Sequence, residues 1–150
     1  PSGSQADISL RGSTYEQVSV TLDGVRINDP QTGHYNLDIP LTLYDVDRIE
    51  VTKEGLSTRY GAGALAGSIN IITKKITRKK VQLQARGGQY ALNSQSFSAS
   101  YPDEGWQGRV SYDHTAAHAA RPNTDFEHKT ATAYFSKNVA EGVLDGMFGY

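Results

Sequence analysis

The sequence predicts a mainly β protein, and three observations carry that prediction. From residue 81 onward apolar and polar residues alternate in runs broken by turn signals, the period of two that a pleated strand imposes on its two faces. Asp23-Gly24 stands between alternating hydrophobics, the pairing a two-residue hairpin favours because a type I′ turn needs positive φ at both central positions. The chain also carries 15 glycines and nine tyrosines in 150 residues, with little that reads as helix.

Bulk properties narrow the function classes. A chain of 150 residues is long enough for one domain with a sizeable core. A net charge of −1 gives no ground for a nucleic-acid partner, and the absence of cysteine excludes a disulfide framework or a thiolate metal site. No apolar run approaches the roughly 20 residues of a membrane helix, and no signal-peptide pattern opens the chain. A transmembrane barrel remains open, since its strands need only about 9–11 residues and hide their lipid face in alternation. The chain starts at Pro1 without Met and stops within the β-like run Phe148-Gly149-Tyr150, which reads as an internal fragment.

Pro1 to Ala6 is small and polar and reads as a loop; Ile8 and Leu10 suggest a short strand ending in an Arg11-Gly12 turn. Ser13 to Gln17 is a polar connector with one aromatic, after which Val18, Val20 and Leu22 alternate into the Asp23-Gly24 turn and return through Val25 and Ile27. Asn28 to Asn36 is polar and punctuated by Pro30 and Gly33, yet it carries His34, Tyr35 and several amides. On residues alone it reads equally as a solvated connection and as a binding loop held by a rigid scaffold. Asp38, Asp45 and Asp47 lack the spacing of a calcium loop and read as solvated or capping carboxylates.

Arg48 to Thr73 reads as strand, glycine-rich loop, strand. Ile49 and Val51 alternate with charged neighbours as in a half-buried strand, and Ile69-Asn70-Ile71-Ile72-Thr73 is a β-branched run too short for a core helix. Between them, Gly61, Gly63 and Gly67 let the backbone bend or approach another wall closely. A Gly-x-Gly after a strand also raises a phosphate cradle. That mechanism needs a helix directly after the glycines and an acidic residue about 20 positions on, and neither is in view.

Lys74 to Lys80 is the one concentrated basic run; no aromatics interleave it to stack on bases, and it reads as a solvated linker. The alternation beyond it opposes Val81, Leu83 and Ala85 to Gln82, Gln84 and Arg86; Phe97, Ala99 and Tyr101 to serines; and Val110 and Tyr112 to Arg109, Ser111 and Asp113. Connections near Pro102 and Ala140 are short, whereas Ala116 to Glu127 is long and irregular. Alternation alone leaves a soluble sandwich and a membrane barrel both open. His114 and His118 stand four apart; in a strand they lie about 13 Å apart, beyond one metal's reach, and no metal site is expected.

Three signatures occur in order: Ile8-Ser9-Leu10-Arg11-Gly12; Val20-Thr21-Leu22-Asp23-Gly24-Val25-Arg26-Ile27-Asn28; and Val46-Asp47-Arg48-Ile49-Glu50-Val51 with Tyr60-Gly61, Ala64, Gly67 and Ile69 to Thr73. Together they resemble the plug domain of TonB-dependent outer-membrane receptors, and the wording of the second, with Val110 to Thr115, looks most like the cobalamin receptor branch. The resemblance implies a small α+β plug domain over residues 1–75, a hinge over 76–80 and the first antiparallel strands of a transmembrane β-barrel, truncated, over 81–150. It implies a short helix near residues 41–46.

As plug apices holding substrate, the resemblance singles out Thr14 and Tyr15, then Gln31, Thr32, His34, Tyr35 and Asn36. As structural positions between plug and barrel it singles out Arg11, Arg48, Glu50, Lys53, Gly61 and Gly67. Two departures stand out: Lys53-Glu54-Gly55-Leu56 replaces the family's usual Arg-Gly-Pro, losing the bidentate fork of arginine, and Ala66 replaces a common glycine.

The function so implied is TonB-dependent uptake of a scarce nutrient, a corrinoid or a ferric siderophore, across the outer membrane, with no catalytic residues and no cofactor. The implied partners are TonB, whose contact segment is not in this chain, outer-membrane lipid and the ligand, and no nucleic acid. Two alternatives compete: an outer-membrane adhesin or structural barrel without transport, and a soluble nucleotide-binding enzyme using the Gly61-x-Gly63 loop. A strand after Gly67 favours the plug; a helix favours the enzyme. An incomplete barrel has unpaired edges, so the 150 residues are not expected to function alone.

Overall fold

A computed structural model describes residues 7–29, 31–53, 64–118 and 125–150. Among the described residues it is mostly β, with 57% strand and 6% helix, the helix including two three-residue 3-10 turns, Tyr15–Gln17 and Gly33–Tyr35. Tyr60, Gly61 and Gly63 lie outside the described residues. The chain forms two compact units, one of residues 4–39 and 46–74, the other of residues 1–3, 40–45 and 75–150.

The first unit is built on a four-stranded sheet of β1 (Val18–Leu22), β2 (Val25–Arg26), β3 (Val46–Thr52) and β4 (Gly67–Thr73), in the order β2-β1-β4-β3. The turn is as its residues dictate: Asp23 and Gly24 take φ of 49° and 85°, and Leu22 pairs with Val25. Asp23 also reaches β4, its carboxylate accepting from the Thr73 amide at 2.9 Å and hydroxyl at 2.7 Å. Central β1 is buried on both faces, with Val18 and Val20 each 1% exposed, and pairs in parallel with β4.

The chain leaves Gly67 as a strand, antiparallel to β3, so the helix that a phosphate cradle needs is not there. Gly67 itself has φ +148°, and a Cβ there would collide with the Thr52 carbonyl oxygen. Two expectations are corrected. Ile8 to Leu10 form no strand; Arg11 (φ 55°) and Gly12 (φ 77°) make a turn closed by Ser13 N–H donating to the Leu10 carbonyl. Ile49 and Val51 are not half-buried but 58% and 50% exposed, their face of edge strand β3 being left uncovered by the described residues.

The second unit is an antiparallel meander of β5 (Lys80–Gly87), β6 (Asn93–Pro102), β7 (Trp106–Ala117), β8 (Phe126–Val139) and β9 (Gly142–Gly149). Neither sheet is closed. β7 runs two residues into the stretch expected to be irregular, ending at Ala117, and His114 lies in the strand opposite Lys129. The expected helix near residues 41–46 is a single turn at Leu43 to Asp45, with the Asp45 amide donating to the Thr42 carbonyl. The basic linker is not wholly solvated either: Ile76 is buried, and the Lys79 ammonium sits 4.3 Å from the centre of the Tyr101 ring.

The faces of this sheet are inverted relative to a soluble protein. Ser98, Ser111, Thr132 and Ser136 are buried, and so is Arg109, while Leu83, Val110, Phe135 and Phe148 are exposed. Register puts Ser98, Ser111 and Thr132 side by side across β6, β7 and β8. A sheet that shows its apolar side chains outward and buries its hydroxyls is arranged for lipid outside and a polar interior.

Candidate functional site

The loop after β2 is a self-bonded scaffold. Asn28 stands in for a strand partner of β1: its side-chain oxygen accepts from the Val20 amide at 2.9 Å and its amide donates to the Val18 carbonyl at 3.0 Å. Asp29 accepts from the backbone amides of Gln31 (2.7 Å) and Thr32 (2.9 Å). The Thr32 bond, then the Gln31 bond, hold its carboxyl below the usual carboxylate value. Thr32 caps the next 3-10 turn by accepting from the His34 amide at 3.3 Å.

The two stretches expected as apices meet through two of their residues. The Tyr15 and His34 rings lie 4.1 Å apart, centre to centre, with the Tyr15 hydroxyl 2.9 Å from His34 Nε2. On the other side His34 Nδ1 is 2.8 Å from the Asp7 carboxylate. In the neutral imidazole that carboxylate places the proton on Nδ1 and leaves Nε2 to accept from tyrosine. Gly33 makes the approach possible, since a Cβ there would come within 2.6 Å of the Tyr15 ring. Asp7 carried no sequence signal: it stands in an unremarkable polar stretch 27 positions from its partner.

Beside this trio, Glu16, Arg26, Asn28, Asp29, Gln31, Thr32, Gly33 and Asn36 line an open, polar cavity of about 190 Å³. Of the expected substrate residues, Gln31, Thr32 and Asn36 line it directly, whereas Tyr35 is 56% exposed and absent from its wall. Asn36 is buried, and its oxygen accepts from the Asp29 amide at 3.0 Å. Thr14 is exposed at the start of the Tyr15–Gln17 turn. Such a wall offers carboxylates, a guanidinium and amides, suited to a polar ligand with many donors and acceptors.

Of the expected structural positions, Arg11 donates through Nη1 to the Lys53 carbonyl at 3.0 Å. Arg48 pairs with Glu50 at 2.8 Å and with Asp47 at 3.0 Å, all on the surface. Gly67 is required by its contact with Thr52, and Gly61 lies outside the described residues. His114 and His118 are each committed to a carboxylate, Glu127 at 3.0 Å and Asp125 at 3.1 Å.

Asp45 corrects the expectation of a solvated or capping carboxylate. It is 2% exposed, and its Oδ1 accepts from Ser111 Oγ at 2.8 Å and faces Arg109 Nε at 2.5 Å. Oδ2 accepts from the hydroxyls of Thr132 (2.5 Å) and Thr42 (2.7 Å) and from the Thr42 amide (3.2 Å). Burial pushes its carboxyl upward, but the hydroxyls of Thr132, Thr42 and Ser111 and the charge of Arg109 outweigh it and hold it below the ordinary value.

The described residues thus comprise a small four-stranded sheet with glycine-dependent turns and a five-stranded meander with its apolar face outward. Residues 1–68 match the TonB-dependent Receptor Plug Domain. Among its relatives is the vitamin B12 transporter BtuB of Vibrio cholerae, 41% identical over 73 residues, which are 48% of this chain and 12% of that protein. The ferric aerobactin receptor of Klebsiella pneumoniae is 45% identical over 56 residues, 37% of this chain and 7% of that one. Among solved structures, the pyoverdine outer membrane receptor FpvA of Pseudomonas aeruginosa PAO1 superposes with a TM-score of 0.80 at 20% identity, covering 97% of this chain and 22% of that one. The chain therefore spans less than a quarter of the length of each of these proteins.

Proposed function

We propose that this chain is part of a receptor that takes up a scarce nutrient across the outer membrane, drawing energy through TonB. Residues 1–75 act as plug, 76–80 as hinge and 81–150 as barrel strands. The observation that carries the reading is the plug-domain match over residues 1–68 ahead of a sheet that buries its hydroxyls and exposes its aliphatic and aromatic side chains. The ligand is a corrinoid or a ferric siderophore, in keeping with what the relatives are named for. It is held at the apices by Tyr15, Gln31, Thr32 and His34, with Thr14, Tyr35 and Asn36 around them. Arg11, Arg48, Glu50, Lys53, Gly61 and Gly67 set the plug's fit. No bond is made or broken, so the protein is a transporter and not an enzyme.

The test is accumulation of labelled cobalamin and of a ferric-siderophore panel by cells carrying the full-length receptor. One ligand accumulates while the proton gradient is intact and stops when it is collapsed. Accumulation that ignores the gradient would contradict energy coupling.

A further inference from the structure

The segment Pro40–Asp45 is flanked in sequence by stretches of the first unit, yet it packs with β5–β9. Three attachments hold it there. At one end Pro40 lies on Gly149, where a Cβ would stand 2.5 Å from the Pro40 carbonyl oxygen, so any side chain would lift the segment away. In the middle the Tyr44 hydroxyl donates to Gln84 Oε1 at 3.0 Å on the surface. At the other end Asp45 is enclosed by Arg109, Ser111 and Thr132 of β7 and β8 and by its own neighbour Thr42.

The chemistry of the Asp45 cage differs from that of a core rivet. Its partners are hydroxyls and one guanidinium, and the wall continues polar through Ser98, whose hydroxyl donates to Ser111 Oγ at 3.0 Å while Ser111 donates to Asp45. Each carboxylate–hydroxyl bond exchanges for a bond to water at small net cost, and withdrawal uncovers no hydrocarbon at the cage. Taking out one partner while the other stays buried is far costlier, so the contact is held firmly or let go as a whole. A dry polar peg in a polar wall is therefore firm while closed and soluble once open.

We infer that Pro40–Asp45 is a latch: its release from the β7–β8 wall, through loss of the Asp45 cage, is the event that frees the adjoining plug segments for ligand passage. The latch rests on the receptor reading. It makes Asp45 and Arg109 positioning residues rather than ligand contacts.

The experiment uses the full-length receptor in planar lipid bilayers, with ion conductance opened by urea as a readout that needs no nutrient. Asp45→Asn keeps the shape and removes the charge; it opens on the order of a hundredfold faster than the parent at the same urea concentration. Thr132→Val, a milder change that spares the ion pair, opens about fivefold faster. Pro40→Cys with Gly149→Cys, in a stretch otherwise free of cysteine, does not open when oxidised and opens again after reductant. Parent-like opening by both Asp45→Asn and Thr132→Val, or by the oxidised pair, would overturn the latch. A parent receptor that never conducts would take down the plugged-barrel reading, and the latch with it.

Discussion

At Gly67 the backbone runs at φ +148° with the Thr52 carbonyl where a Cβ would be, so Gly67→Ala forces β3 and β4 apart. The expected loss is more than about 1 kcal/mol, read as a lower denaturant midpoint of the full-length receptor. Asp45 sets a pH dependence. Its carboxyl is held below its ordinary value of 3.8, so it stabilises the fold above that pH, and the contribution is lost as pH falls through the lowered folded value. Asp45→Asn removes that part of the acid transition, leaving a flatter acid limb in fluorescence-monitored unfolding; an unchanged limb would show that the cage is not what titrates. The two residues differ in how far they could be read from the chain. Gly67 announced itself in a glycine-rich stretch next to a strand. Asp45 could not, because its partners Ser111 and Thr132 are 66 and 87 positions away and nothing local distinguishes it from Asp38 or Asp47.

Among the elements, those written in local chemistry were legible. Asp23-Gly24 encodes its own turn, and β3 and β4 arise from period two and β-branching. Ile8 to Leu10 misled, since two apolar residues two apart make too short a run to specify a strand, and the turn at Arg11 and Gly12 interrupts it. β7 outran its expected end because Thr115, Ala116 and Ala117 pair with β8 although their side chains break the alternation. The direction of the faces has a direct consequence. Val110 lies on the outward face and is 50% exposed, so Val110→Lys puts an ammonium toward lipid and costs about 2–4 kcal/mol near the middle of the membrane. The check is folding of the full-length variant into bilayers, measured by heat-resistant migration in gels. A soluble sheet would gain solubility from the same change, and that result would contradict the barrel.

For the whole molecule, the plug-like signatures pointed to the class, the match over residues 1–68 agrees with it, and the likeness to FpvA bears out the mainly β fold. The chain did not disclose how its apex residues meet: Tyr15 and His34 are 19 positions apart, and Asp7 completes their trio without a motif to mark it. The proposed uptake rests on ligand being held by that apex. Equilibrium binding of cobalamin and ferric siderophores to the full-length receptor decides it, beside a variant with Gln31 to Asn36 replaced by glycine and serine. Tight binding of one ligand to the parent is expected, with its loss, by on the order of a hundredfold or more, in the variant. Equal binding by both would refute the assignment of the site and move ligand capture elsewhere on the receptor.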